Sequence, residues 1–364
     1  MKITDPHALD LELVSVEKCI KLLWHLKPLN IDVERAAFLQ GKRRNPVFRY
    51  PVLKFAPDSL REKLNNLKPD GTPLGLLFTK KILEIKLKIN LLEARGKKEF
   101  TAFSAQLYGA PTMSLHDEAL RILKNPHMGA HAHEKYSTEE VATILQNVLT
   151  EYGLLRWKVK IKDHLVSDIA AGKRNALFLL KDASFTRVRL DRIIAHEIET
   201  HILTAENGKY QPYQIFHRGF ANYLETQEGL AIFAQECQKG CLPIAAHRIS
   251  YLTLAVLEAN KGSFRQVYEA MRGYRLSSEK SFRMALRAKR GLTDTESHGG
   301  FTKDIIYLKG YQRIEEFAQQ GGDIKKLYLG KVALEDLPFI SKIPYLVAPR
   351  YVPKWVTSAA SQSA

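Results

Sequence analysis

The stretch "RIIAHEIETHILTAENG", residues 192–208, places His196, Glu197 and His201 inside an apolar-periodic run that reads as one helix. Neutral imidazole nitrogens suit Zn²⁺, and a glutamate beside the first histidine can act as general base toward a metal-activated water, as on an H-E-x-x-H helix. The spacing is one residue too long for that motif. On a regular α-helix, positions four apart differ by about 40° around the axis and positions five apart by about 140°. His196 and His201 would then not share an ion. The sequence therefore predicts a local π-bulge between Ile198 and Thr200, which brings both rings to one face.

A catalytic zinc takes three protein ligands and leaves one position for water. The third ligand is sought on the next helical stretch, "NYLETQEGLAIFAQE", residues 222–236, which offers Glu225, Glu228 and Glu236. Glu228 is preferred because Gly229 and Ala231 would let its helix approach the motif helix closely. The reading is one Zn²⁺ per chain, held by His196, His201 and Glu228, with Glu197 as the base.

Working outward, "RWKVKIKD" alternates Trp157, Val159 and Ile161 against three lysines, the pattern of a half-buried strand, and "NALFLL" and "FTRVRL" read as two more strands. "STEEVATILQNVLTEYG" is a marked helix, with a Ser137 or Thr138 cap, early glutamates and Gly153 past its end. Earlier pieces are helical: "LDLELVSVEKCIKLLWHL", stopped by Pro28, then a long helix between Gly75 and Gly96, then "DEALRILKN". Residues from about Tyr223 to Gln320 read as successive helices. The expected class is α+β and mainly helical, with a small sheet just upstream of the motif helix. An N-terminal helical region would span 1–134, a catalytic region 135–352, and a disordered Ser/Ala-rich tail 353–364.

The chain of 364 residues is 45% hydrophobic, enough for a large core, and 55 Lys plus Arg against 39 Asp plus Glu give a net charge of +16. That charge favours acidic partners. Three cysteines, Cys19, Cys237 and Cys241, are too few for a disulfide framework and fit a reducing compartment. The N-terminus lacks the apolar core of a secretory signal, and the longest apolar run, "CLPIAAHRISYLTLAVLEA", is broken by His247 and Arg248. The expectation is a cytoplasmic protein without a membrane partner.

"HEIETH" followed by "TQEGLA" resembles the QEGLA-motif family (DUF1704), which includes the eukaryotic microtubule-associated tyrosine carboxypeptidases. The likeness continues through "FHRGFANYLETQEGLA" and "RAKRGLTDTESHGGFTKDIIYLKG" and covers roughly Leu23 to Leu337. The motif spacing is also similar to that of the dipeptidyl peptidase III family, but "QEGLA" fits the carboxypeptidases better. The resemblance implies a gluzincin-like zinc metallopeptidase with the same ligands and base. It implies hydrolysis at a peptide or protein C-terminus, tyrosine or another aromatic among the residues removed. The chain departs from some relatives at Glu199, where a small residue is common; this carboxylate would lie beside the metal or face solvent.

A carboxypeptidase also needs a fixed cation for the terminal carboxylate, best an arginine fork. Arg218, Arg287, Arg290 and Lys303 fall within the family-like stretches. Lys303 and Tyr307, four apart on "TKDIIYLKG", would point together, and Tyr223 is a candidate oxyanion donor. Most of the 55 basic residues need only be solvated, and Tyr223 could be a core aromatic. His127, His131 and His133 could form a separate metal site, but they read as a surface loop, and Cys237 and Cys241 read as free thiols rather than zinc ligands. Two other function classes stand beside the peptidase. One is a basic regulatory or nucleic-acid-binding protein with a structural or vestigial zinc site, although no nucleic-acid motif stands out. The other is a helical di-metal site, which would want paired E-x-x-H motifs that the motif helix lacks.

Overall fold

The computed structural model of the protein describes residues 3–124, 135–165, 168–172, 175–237 and 242–356. The chain is mainly helical with two small sheets. Seven helices come first: α1 (Pro6–Ile20), α2 (Leu22–His25), α3 (Ile31–Leu39), α4 (Pro57–Asn66), α5 (Pro73–Glu93), α6 (Phe100–Tyr108) and α7 (Met113–Lys124). The helix expected to run on to Pro28 breaks earlier, because Lys21 adopts a left-handed conformation (φ 41°, ψ 53°) that separates α1 from α2. Buried His25 fixes this elbow from below, its Nδ1 2.8 Å from the Ile20 carbonyl and its Nε2 accepting from Lys54 N at 3.1 Å.

Strand β1 (Lys135–Tyr136) precedes α8 (Thr138–Glu151), which opens with the Ser137–Glu140 capping box. Then come β2 (Lys158–Lys162), β3 (Ile169–Gly172), β4 (Ala176–Leu180) and β5 (Phe185–Thr186). The larger sheet has the order β2-β4-β3, with β2 parallel and β3 antiparallel to β4, while β1 and β5 pair antiparallel on their own. "FTRVRL" is not the strand its alternation suggested. Only Phe185 and Thr186 are extended; Thr186 then caps α9 (Arg187–Ile193), its Oγ1 accepting from Arg189 N. The inward pattern of β2 also fades at its end, where Ile161 is 37% exposed.

A π-helix (Ile194–Ile202) continues α9 and leads into α10 (Leu203–Gly208). The rest is α11 (Ile215–Arg218), α12 (Tyr223–Glu236), α13 (Leu242–Lys261), α14 (Phe264–Gly273), α15 (Ser278–Lys289), a 3₁₀ turn at Thr302–Ile305, α16 (Ile306–Gln319) and α17 (Leu337–Ile340). One core joins Leu13, Ile85 and Ile89 to Leu145, Leu177, Ile198 and Ile202; a second joins Phe38 and Phe48 to α13, α14 and α15. Residues on both sides of position 134 contribute to each. Helix α12 lies between them, giving Leu230 to the first core and Ile232 to the second. Packing extends past 353, where Trp355 meets Phe233 edge to face at 5.9 Å and Val356 is buried; 357–364, and with them most of the expected tail, lie outside the described residues.

A charge cluster ties α1 to α5 beneath the elbow. Glu17 accepts from Lys81 at 2.9 Å and Lys88 at 2.7 Å, and Glu84 pairs with the same two lysines. Burial alone would raise the Glu17 pKa, but Lys88 and Lys81 outweigh it and hold the carboxyl at about 2 rather than 4.5. A depressed carboxylate gives stability that is full above the unfolded value and drains as pH falls toward the folded one. Glu17→Gln is therefore expected to flatten the acid limb of a Tm-versus-pH profile between 4.5 and about 2. An unchanged acid limb would show that the cluster contributes nothing there.

Candidate metal centre

The motif segment is widened over nine residues, Ile194–Ile202, rather than in one turn at Ile198–Thr200. With hydrogen bonds running i to i+5, residues five apart stack on one face. Leu203 N bonds the Ile198 carbonyl, and Thr200 Oγ1 bonds the Ala195 carbonyl at 2.9 Å, both across that span. Thr204 extends the support, its Oγ1 2.7 Å from the Thr200 carbonyl and 2.8 Å from Gln227 Oε1 of α12. The widening brings the two imidazoles together, with Nε2 atoms 3.3 Å apart.

Glu228 reaches the same point from α12. Its Oε2 lies 3.6 Å from His196 Nε2 and 3.9 Å from His201 Nε2, and it is buried without a hydrogen-bond partner among the described residues. Three ligands about 2.1 Å from one tetrahedral ion stand about 3.4 Å from each other. The donor set fits zinc by both spacing and chemistry, and an orphaned buried carboxylate oxygen is otherwise a costly arrangement. Burial pushes the His196 pKa well below its usual value, with His201, Arg248 and Arg192 adding to it, so the ring is neutral and offers a lone pair. Gln235 holds the far side of that ring, its Nε2 3.2 Å from His196 Nδ1 and its Oε1 accepting from Arg192 Nε at 2.9 Å.

The competing acids are engaged elsewhere. Glu225 pairs with Lys309 at 2.8 Å and Arg313 at 2.6 Å, and Glu236 accepts from Tyr311. The reason given for preferring Glu228 needs correcting, because Gly229 faces α16, where an added Cβ would overlap the Gly310 backbone. These two glycines set the α12–α16 contact and so the aim of Glu228. Gly229→Ala is expected to cost about 1–3 kcal/mol by overpacking and to weaken metal binding as Glu228 shifts. Unfolding and metal titrations matching the parent would refute this. Glu199 is neither beside the ligands nor in solvent. It is 7% exposed and accepts from Tyr152 at 2.8 Å, inside the fold.

Glu197 is largely enclosed, and burial raises its pKa, His201 and Arg248 opposing and Glu228 assisting. Two cavities meet at the centre. One, of about 580 Å³, is lined by Glu228, Tyr223, Tyr108 and Lys303; the other, of about 1120 Å³, by His201, Arg218, Lys331 and Trp157. Glu17 and the Lys21–Leu23 elbow border both. Tyr223 and Lys303 thus reach the cavity of Glu228. Tyr307 joins them through Lys303, whose Nζ lies 5.2 Å from its ring. Arg218 is exposed on the other cavity. Arg287 is not free for substrate, since it grips Asp304 with two bonds of 2.6 and 2.8 Å. Arg290 lies over Phe301, 4.9 Å from its centroid.

Sequence reading missed Gln235, Tyr108, the α1–α2 elbow and Arg248. For Arg248 a signal existed: a cation interrupting the apolar run of α13 must face something other than lipid or core. Cys237 is a free thiol; His127, His131, His133 and Cys241 lie outside the described residues.

The description "microtubule-associated tyrosine carboxypeptidase" belongs to the family model that matches residues 36–364. Curated relatives include microtubule-associated tyrosine carboxypeptidase 1 of Homo sapiens, 32% identical over 157 residues, which are 41% of this chain and 32% of that protein. The Rattus norvegicus protein of the same name is 32% identical and the Mus musculus one 31%, each over 157 residues with the same coverage. The chain thus aligns with about a third of the length of these relatives. The match over residues 36–364 takes in all three converging side chains, Glu197 and the helices that aim them, and by it the chain belongs to the microtubule-associated tyrosine carboxypeptidase family.

Proposed function

We propose that the protein is a zinc-dependent carboxypeptidase that removes the last residue from a peptide or protein C-terminus. The observation that carries this reading is the buried, unbonded Glu228 Oε2 set 3.6 and 3.9 Å from the two imidazoles. Three protein donors suit a catalytic ion with one open position; a structural zinc is closed by four. This favours the enzyme over the regulatory or nucleic-acid-binding reading, which rests on the +16 charge.

His196, His201 and Glu228 would hold the zinc ion. A zinc ion there supplies Lewis acidity, bringing the pKa of a coordinated water toward neutrality and polarising a carbonyl. Glu197, its pKa raised by burial, takes the proton of the attacking water and returns it to the departing amine. Tyr223, in the Glu228 cavity, is placed to donate to the developing oxyanion; Lys81 and Lys331 each lie 5.9 Å from its ring. Lys303 is 6% exposed and stays charged, since Tyr307 and Glu228 outweigh the effect of burial. It supplies a fixed cation for the terminal carboxylate. Arg218, Lys331 and Lys21 line the second cavity, which suits an acidic chain leading into the site.

No described helix is long and apolar enough to cross a membrane. Free thiols at Cys19 and Cys237 suit a reducing, cytoplasmic setting.

The test is mass spectrometry on a library of peptides with varied C-terminal residues, incubated with zinc-loaded parent and Glu197→Gln. The parent should shorten peptides by one residue, with aromatic ends and acidic upstream residues favoured. The variant should be slower by about 10²–10⁴-fold with its metal retained. Equal inactivity of the two with zinc bound would favour the structural-site reading.

A further inference from the structure

Two cations lie on the Tyr307 ring. Arg248 Cζ of α13 lies 5.7 Å from the ring centroid, and Lys303 Nζ 5.2 Å. Among the described residues neither forms an ion pair with a carboxylate, and Arg248 Nε is buried without a hydrogen-bond partner. The neighbouring Asp304 is taken up by Arg287. Besides Asp304, which Arg287 already holds, the acids that Lys303 and Arg248 feel are Glu228 and Glu197. The first belongs to the metal and the second must be free to accept a proton. A buried Lys303 and a half-buried Arg248 therefore await an anion from outside.

We infer that Arg248 and Lys303 together bind the C-terminal carboxylate of the substrate, across the Tyr307 ring. This rests on the carboxypeptidase reading and adds the residue that gives it directional recognition. Lys303 provides a point charge, whereas the Arg248 guanidinium provides paired N–H donors matched to a planar carboxylate. Both cations lie within 6 Å of the Tyr307 ring, which offers them a favourable aromatic contact while the site is empty of substrate. An internal peptide bond brings no such anion, so it leaves both cations desolvated and unpaired. Cleavage is thereby confined to chain ends.

The experiment measures binding, with turnover suppressed by Glu197→Gln in every protein. Fluorescence anisotropy compares two labelled peptides of one sequence, ending in a carboxylate or a carboxamide, on zinc-loaded protein, with metal content assayed in parallel. The Glu197→Gln parent should prefer the carboxylate. Adding Arg248→Gln should shrink that preference by about 10- to 100-fold, leaving carboxamide affinity and metal content unchanged. Arg248→Lys, which keeps the charge and loses the fork, should fall between and carries the test if the glutamine variant does not fold. Two results overturn the inference: a preference unaltered in the Arg248 variants, or loss of metal in place of loss of preference, which would make Arg248 a charge balance for Glu197 and His196. A parent that shows no preference at all would defeat the carboxypeptidase reading itself.

Discussion

Glu228→Ala is expected to lose both the metal and all peptidase activity. Glu228 is the one carboxylate of the candidate ligand set, and its removal leaves two imidazoles with no anionic ligand. A substitution one bond farther out, at a residue that only supports a ligand, already costs about 10–100-fold in metal affinity; deletion of a ligand should exceed that. The fold should survive, because burying the Glu228 carboxylate without zinc is itself unfavourable. The check is zinc content after dialysis together with a thermal melt in chelator. The account expects parent and variant to differ by the zinc-dependent increment alone, with the metal-free variant at least as stable as the metal-free parent. A variant that keeps full zinc would remove Glu228 from the ligand set.

Lys289→Met carries the second large effect, on stability. Lys289, at the end of α15, is fully buried and donates to the carbonyls of Ala259 at 3.1 Å, Ser297 at 2.8 Å and Gly299 at 3.0 Å, and also of Gly262. Burial lowers its pKa to about 7, with Asp294 opposing, and this amino group gathers the end of α13 and the 291–300 loop. Methionine fills much of the same volume but leaves these acceptors facing an apolar group. At about 1–3 kcal/mol for each unsatisfied buried acceptor, partly relieved by water, the loss should reach about 3–5 kcal/mol. The same loop leads into Thr302, whose N bonds Ser104 Oγ at 2.8 Å, and into Lys303, so carboxylate recognition should also weaken. Urea unfolding of the metal-free protein measures the first effect. A loss below about 1 kcal/mol would mean that the cage does not hold the loop.

The centre was legible in sequence for a definite reason. Ligand types and helical periodicity are local properties, and the misfit of a five-residue spacing with a 3.6-residue helix could be resolved only by widening the helix. The structure widens it further than one bulge. Glu228 does converge on the two histidines, but the reason for choosing it does not hold, because the partner of Gly229 is Gly310, far away in sequence. Alternation misled at "FTRVRL", where the Thr186 cap begins a helix, and a strand as short as Ile169–Gly172 leaves no periodic signal. Pairing decided the fate of the candidate cations. The sequence around Arg287 does not show that it is locked to Asp304, nor does the apolar run around Arg248 show that among the described residues it has no ion-paired acid. Glu199 likewise reads as an extra charged residue until its Tyr152 partner is seen.

The central claim is that a single ion at His196, His201 and Glu228 enables removal of a C-terminal residue. Its most direct test is to titrate zinc into chelator-stripped protein while following release of the last residue from a free-carboxylate peptide. The account predicts no release without metal, and a linear rise that breaks at one zinc per chain. Release that persists after stripping, or that stays absent at one bound zinc per chain, would contradict it.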